Sequence, residues 1–185
     1  MLLTVLSLSA CTSNKKKETT NETTENMKGK KVLVAYFSWS GNTKDAAQYI
    51  AQRLGADEFE IIREKPYPTE YDPCTEDAKA EKEANERPVI KGAVENMAQY
   101  DVVFVGVPVW WYTAPMPVFT FLEQYDLKGK TVIPFTTHEG SGLANCVENV
   151  KDAFPGANVR KGFSIYGHEV RTEKAKVEKW INGLK

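Results

Sequence analysis

The chain has 185 residues, enough for one ordinary domain and too few for two comfortable ones. A hydrophobic fraction of 42% and a charged fraction of 26% match a soluble globular protein and exclude a wholly disordered one. The formal net charge of −1 leaves no basic stripe for nucleic acid and no strong acidity to steer the chain onto basic partners.

Met1 to Ala10 is a short apolar run closing in small residues, like the end of a secretory signal peptide. Leu8-Ser9-Ala10-Cys11 resembles a bacterial lipobox, in which the Cys becomes the lipidated first residue of the mature protein. Two acyl chains on one Cys reach the regime of stable anchoring. No Lys or Arg precedes the apolar run, so the basic segment that normally opens such signals is missing. Thr12 to Met27 is dense in Lys, Glu, Thr and Asn and has no apolar period, so it cannot bury a core. The expected organisation is a signal peptide over 1–10, a disordered tether over 11–28 and one folded domain over 29–185. The expected location is outside the cytoplasm of a bacterium, as a lipoprotein that meets the membrane only through its lipid.

From Lys31 the chain alternates strand and helix. Val32 to Phe37 is a continuous apolar run of strand length, as expected of a strand covered on both faces. Ala46, Ala47, Ile50 and Leu54 then fall at helical spacing, and Gly55 suits the C-terminal cap. Glu58 to Ile62 reads as a second strand. The polar stretch Arg63 to Tyr100 contains a helix over Thr75 to Asn85, whose Glu, Lys and Ala suggest a solvated face rather than a site. Val102 to Val107 is the third strand, and Pro115 and Pro117 suit the first turn of the helix carrying Val118, Phe121 and Leu122. Thr131 to Thr136 is the fourth strand; Pro134 cannot donate to a ladder and is expected at a bulge. A helix marked by Leu143, Val147, Val150 and Phe154 follows. Val159 to Tyr166 is the fifth strand, and Val177, Trp180, Ile181 and Leu184 mark the closing helix. Cys74 in a Pro-flanked loop and Cys146 in a helix are expected to stay unpaired. Such alternation implies an α/β fold, a parallel sheet with helices on both faces. Ligands of such sheets bind beyond the carboxyl ends of the strands.

Three loops at those ends carry the chemistry. Ser38, Trp39, Ser40, Gly41, Asn42 and Thr43 place hydroxyls, an amide and one glycine at a helix start, where free N–H groups and the helix dipole favour an anion. With no Lys and one Gly, this is neither a nucleotide P-loop nor a dinucleotide fingerprint, and a terminal phosphate monoester suits it; an ordinary capped helix is the alternative. Pro108, Val109, Trp110, Trp111 and Tyr112 put three consecutive aromatics in the loop after the third strand, suited to a flat ring or to a partner surface. Thr137, His138, Glu139, Gly140 and Ser141 form a glycine-rich turn before the next helix. His138 beside Glu139 suggests acid/base work, although a supporting or solvent-facing His is the plainer expectation. The chain has only two histidines and no metal-ligand spacing.

Taken in order, these three motifs resemble those of the flavodoxin family, in particular small bacterial members with Gly-x-Pro-x-Trp-Trp after strand three. The resemblance spans roughly residues 30–185. It implies a three-layer sandwich with a five-stranded parallel sheet in order 2-1-3-4-5, binding non-covalent FMN. Ser38, Ser40, Asn42 and Thr43 would hold the phosphate with Gly41 as support. Trp110, Trp111 and Tyr112 would border the ring, and Thr137 to Ser141 would line its other edge. No residue is expected to be catalytic in its own right. One feature departs from many family members: the aromatic loop has no Gly after Gly106, so a backbone flip to positive φ on flavin reduction is expected to be costly there. The implied function is electron transfer, with redox proteins or a small-molecule acceptor as partners and a monomer or homodimer as the working unit. The alternative is an NAD(P)H-dependent flavin or quinone reductase, and the second alternative a flavin-binding module without a redox role.

Overall fold

The computed structural model describes residues 27 and 29–184. The expected signal peptide, Cys11 and nearly all of the tether lie outside those residues. The elements in order are β1 (Val32–Tyr36), α1 (Asn42–Leu54), β2 (Asp57–Glu60), β3 (Ile62–Arg63), α2 (Tyr71–Glu83), β4 (Ile90–Lys91), β5 (Val102–Pro108), α3 (Met116–Leu122), β6 (Thr131–His138), α4 (Cys146–Ala153), β7 (Asn158–Val159), β8 (Phe163–Tyr166) and α5 (Lys174–Asn182).

The main sheet runs β2-β1-β5-β6-β7, with β8 also on β6, and every pairing is parallel. The continuous apolar strands are buried on both faces, as their lack of alternation predicts. Leu33, Ala35, Val103 and Val105 face α2, α3 and α4 through Ala78, Val118, Phe121 and Val150. Val32, Val34, Val102 and Phe104 face α1 and α5 through Ala47, Ile50, Val177 and Ile181.

The expected fifth strand is two short ones. β7 pairs with Thr131 and Val132, β8 with Phe135 to His138, both on the outer edge of β6. Three steps along β6, from Val132 to Phe135, are matched by four along its neighbour, from Val159 to Phe163, so one residue is extruded. Pro134 supplies the reason. Arg160 N donates to Val132 O, so Val132, and two residues on Pro134, present their backbone groups to this edge. The N–H that Pro134 lacks would have faced the break. β6 itself runs through Pro134 unbroken, and the bulge falls on the partner strand.

A second difference lies between β2 and β5. The second strand ends at Glu60, and Ile62–Arg63 instead pairs antiparallel with Ile90–Lys91. These two-residue strands are too short to leave a periodic signal. They close a loop that holds α2 on the sheet, and α2 is not simply a solvated helix. Its inner face carries Cys74, Ala78 and Glu81. The Glu81 carboxylate meets Arg63 Nη2 at 2.6 Å and accepts the Tyr67 hydroxyl. Burial pushes the Glu81 carboxyl above the usual carboxylate range, against the opposing pull of Tyr67 and Arg63. A buried pair of this kind contributes little net stability, but losing one partner strands the other charge.

Candidate functional site

β1 ends against β5, with Phe37 N donating to Gly106 O, and the chain then turns through Ser38–Gly41 into α1. Gly41 sits at φ 92°, in the left-handed region, and no side chain caps the helix. The first helical bond is Asp45 N to Gly41 O, so the N–H groups of Asn42, Thr43 and Lys44 come before the ladder starts. The Ser38 hydroxyl is buried with no partner in the protein. Buried donors and acceptors are normally satisfied, and this one fits a polar group of a ligand seated at the helix start. Trp39 is held away from the helix start by its indole N–H, which donates to Pro68 O at 2.9 Å. Ser40 is exposed, and Gly41 and Asn42 are half-buried.

Thr43 is buried, and its Oγ1 lies 2.7 Å from Oγ1 of Thr137. One hydroxyl donates and the other accepts, which leaves the acceptor's proton for a third group. This bond ties the first loop to the third. Pro108, paired with Thr137, and the Val109 N–H donated to Thr137 O tie the second loop to the third as well.

The aromatic loop turns sharply between Trp110 and Thr113, which exchange both backbone hydrogen bonds at 3.0 Å. Its two central residues, Trp111 and Tyr112, have φ of 50° and 63°, the dihedral signs of a type I′ turn normally built from Asn and Gly. Positive φ is therefore already present here without glycine. The surroundings explain it. Lys82 Nζ donates to Trp111 O and Trp111 Nε1 donates to Thr75 O, both at 3.0 Å, while Asn145 N donates to Tyr112 O. Asn149 Oδ1 accepts from the Thr113 hydroxyl at 2.7 Å and from Ala114 N. Helix α2 grips one side of the turn and α4 the other. Trp110 is fixed separately, with Phe37 and Tyr67 edge-on at 5.4 and 5.1 Å.

In the third loop, His138 Nδ1 accepts the Gly140 N–H at 2.9 Å and its ring lies 4.5 Å from that of Tyr166. That acceptor role requires an unprotonated Nδ1, and burial accordingly lowers the His138 pKa against the pull of Glu139 and Glu169. Glu139 bonds the backbone and ring of His168 at 3.1 and 2.6 Å. His138 thus shapes the loop and does not line the cleft.

A cleft of about 500 Å³ opens between the loops, within the range of cofactor sites. Trp39, Val109, Trp110, Trp111, Tyr112, Glu139, Gly140 and Ser141 line it. Ser38, Ser40, Gly41, Asn42 and Thr43, at the turn into α1, are outside that lining, as are Pro108, Thr137 and His138. The far wall was not foreseen: Tyr71, Cys74, Thr75 and Ala78 of α2 complete the cleft. Tyr71 is 70% exposed at the rim of the cleft. Cys74 and Cys146 are both free, as expected, and both are buried; Cys74 lies in α2 rather than in the expected loop. Burial pushes the Cys74 thiol up to about 11, so this cleft-lining group is not a ready nucleophile.

A family model described as flavodoxin matches residues 31–184. Among solved structures, a protein from Bacteroides eggerthii designated a flavoprotein is 35% identical with a TM-score of 0.73, the match covering 84% of this chain and 99% of that one. A similarly designated protein from Bacteroides uniformis is 32% identical with a TM-score of 0.71, over 83% and 99%. A Lactobacillus acidophilus flavoprotein, solved in complex with FMN, is 26% identical with a TM-score of 0.62, over 78% and 99%. No curated protein matches the chain. The parallel sheet in its order, the three loops meeting at its carboxyl edge and the match across nearly the whole described domain lead to one assignment: the chain belongs to the flavodoxin family.

Proposed function

We propose that this chain binds FMN and transfers electrons, held at a bacterial membrane by lipid on Cys11. One observation carries the reading. A helix start with uncapped N–H groups and an unpartnered buried Ser38 hydroxyl lies on the loop whose Trp39 lines a cleft walled by aromatics, and the Thr43–Thr137 bond joins that loop to the glycine-rich one. The complex of the Lactobacillus acidophilus relative with FMN supports the choice of ligand. Ser38, Ser40, Asn42, Thr43 and the N–H groups of the first helical turn would hold the phosphate. Trp110, Trp111, Tyr112 and the Glu139–Ser141 turn would enclose the ring. The bound flavin supplies reversible uptake of electrons, and the surrounding protein sets its potential by packing and hydrogen bonds. The residues themselves bind, orient and exclude water.

The absorbance spectrum of the purified protein through a reductive titration tests this directly; protein that stays colourless after incubation with FMN would sink it. Thr43→Val combined with Ser40→Ala removes two hydroxyls near a charged group and is expected to weaken FMN binding at least roughly tenfold. Unfolding curves measured alongside separate that loss from the stability lost with the Thr43–Thr137 bond. Metabolic labelling with a fatty acid tests the anchor, since Cys11→Ser should abolish the label.

A second reading, an NAD(P)H-dependent flavin or quinone reductase, draws on the wall that α2 adds. Tyr71, Cys74, Thr75 and Ala78 extend the cleft beyond the three loops and give an acceptor somewhere to lie. Stopped-flow oxidation of NAD(P)H decides it, and an absence of turnover with either nicotinamide excludes it.

A further inference from the structure

The phosphate seat has no cation of its own. Lys44, next to it in sequence, is turned to Glu60 with Nζ 2.7 Å from Oε2. The first turn of α1 instead carries Asp45, a negative charge close to where a phosphate would lie. Arg171 offsets it from far along the chain. Its Nε donates to Asp45 Oδ2 at 2.6 Å, and its Nη2 lies 3.8 Å from the point a Cβ on Gly41 would occupy.

The backbone before Arg171 is built to hold it there. After β8 the chain makes a tight turn over Gly167–Glu169. Gly167 is wedged so closely between the first and third loops that a Cβ would meet Asn42 Nδ2 at 2.6 Å and Glu139 Oε1 at 2.8 Å. His168 is bonded to Glu139 twice, and Val170 is buried in the core beneath α1. The stem is therefore fixed while the Arg171 side chain remains 69% exposed and bonds through Nε to Asp45.

We propose that residues 167–171 are a fourth binding segment and that Arg171 supplies the cation for the ligand's phosphate monoester. The assignment rests on the FMN reading above. Asp45 orients the guanidinium through Nε, and the two Nη groups are left to donate to phosphate oxygens, the paired geometry in which Arg exceeds Lys. The segment also touches both ends of the site, Asn42 on the phosphate side and Glu139 on the ring side. Arg171 thereby favours a phosphorylated flavin over the same flavin without phosphate.

The test titrates the full-length protein, stripped of flavin, with FMN and with riboflavin, following flavin fluorescence at low salt and at about 1 M salt, where screening reaches a few Å. Arg171→Gln is expected to bind FMN about tenfold more weakly at low salt and riboflavin unchanged, with the difference from wild type shrinking at high salt. Arg171→Lys should fall between. An Arg171→Gln protein that binds FMN like wild type at low salt overturns the assignment, and so does one that loses FMN and riboflavin equally. A wild-type protein that binds no FMN overturns the functional reading itself, a result distinct from either.

Discussion

The phosphate loop and the aromatic loop both need left-handed backbone, and they obtain it in opposite ways. Loop one places a glycine there, Gly41 at φ 92°, and no side chain caps the helix that follows. Loop two places Trp111 and Tyr112 there and is gripped by Lys82, Thr75, Asn145 and Asn149. A glycine turn leaves backbone N–H groups open for a ligand. A braced turn of aromatics holds large side chains at the mouth of a cleft, at the cost of strain of about 1–2 kcal/mol per residue. The first loop reaches its left-handed backbone through its own glycine, the second through bonds from its neighbours.

The largest expected effect removes a brace. Glu81→Ala leaves the half-buried Arg63 without its carboxylate and the Tyr67 hydroxyl without its acceptor, and should destabilise the protein by about 3 kcal/mol in denaturant unfolding. A loss below about 1 kcal/mol would mean that α2 is not secured from beneath and the contrast between the loops fails. The next pair of variants should move in opposite directions. Gly41→Ala forces a Cβ into the left-handed region and is expected to cost about 1–2 kcal/mol, although the Cβ would meet only Arg171 Nη2, at an ordinary contact distance of 3.8 Å. Tyr112→Gly removes that strain at a residue 70% exposed, so stability should hold or rise by up to about 1 kcal/mol. A clear loss with Tyr112→Gly would show that its ring, rather than its neighbours, stabilises the turn.

The smallest expected effect concerns the loop that joins the other two. Burial lowers the His138 pKa, so the folded state binds its proton less readily than the unfolded chain. The stabilisation is complete above the unfolded value of about 6.5 and is lost as pH falls through the folded value. His138→Gln should flatten the fall in stability between about pH 7 and 5 relative to wild type. An identical slope in both proteins would relieve His138 of that role.

Much of this arrangement was legible in the sequence. Continuous apolar runs identified β1, β5 and β6, and the three loops that follow them are the ones that meet. The two cysteines were expected to be free, and they are. What escaped notice depends on distant partners. β3 and β4 are two residues each and exist only because the chain returns after α2. Arg171 shows no local pattern, since its meaning comes from Asp45, far away in sequence.

The alternation of apolar runs and helical spacings determined the α/β class, the loop motifs picked out residues that could seat a phosphate and a ring, and the strand order came only from the resemblance to the flavodoxin family. Only the tertiary structure decided how those residues are held. Pro134 shifted a bulge onto its neighbour because a missing N–H is felt across a ladder, not along a strand. Glu81 became a buried support because Arg63 and Tyr67 came to meet it. Trp111 and Tyr112 took a backbone shape that their own chemistry disfavours, because the bonds from α2 and α4 outweigh the local strain.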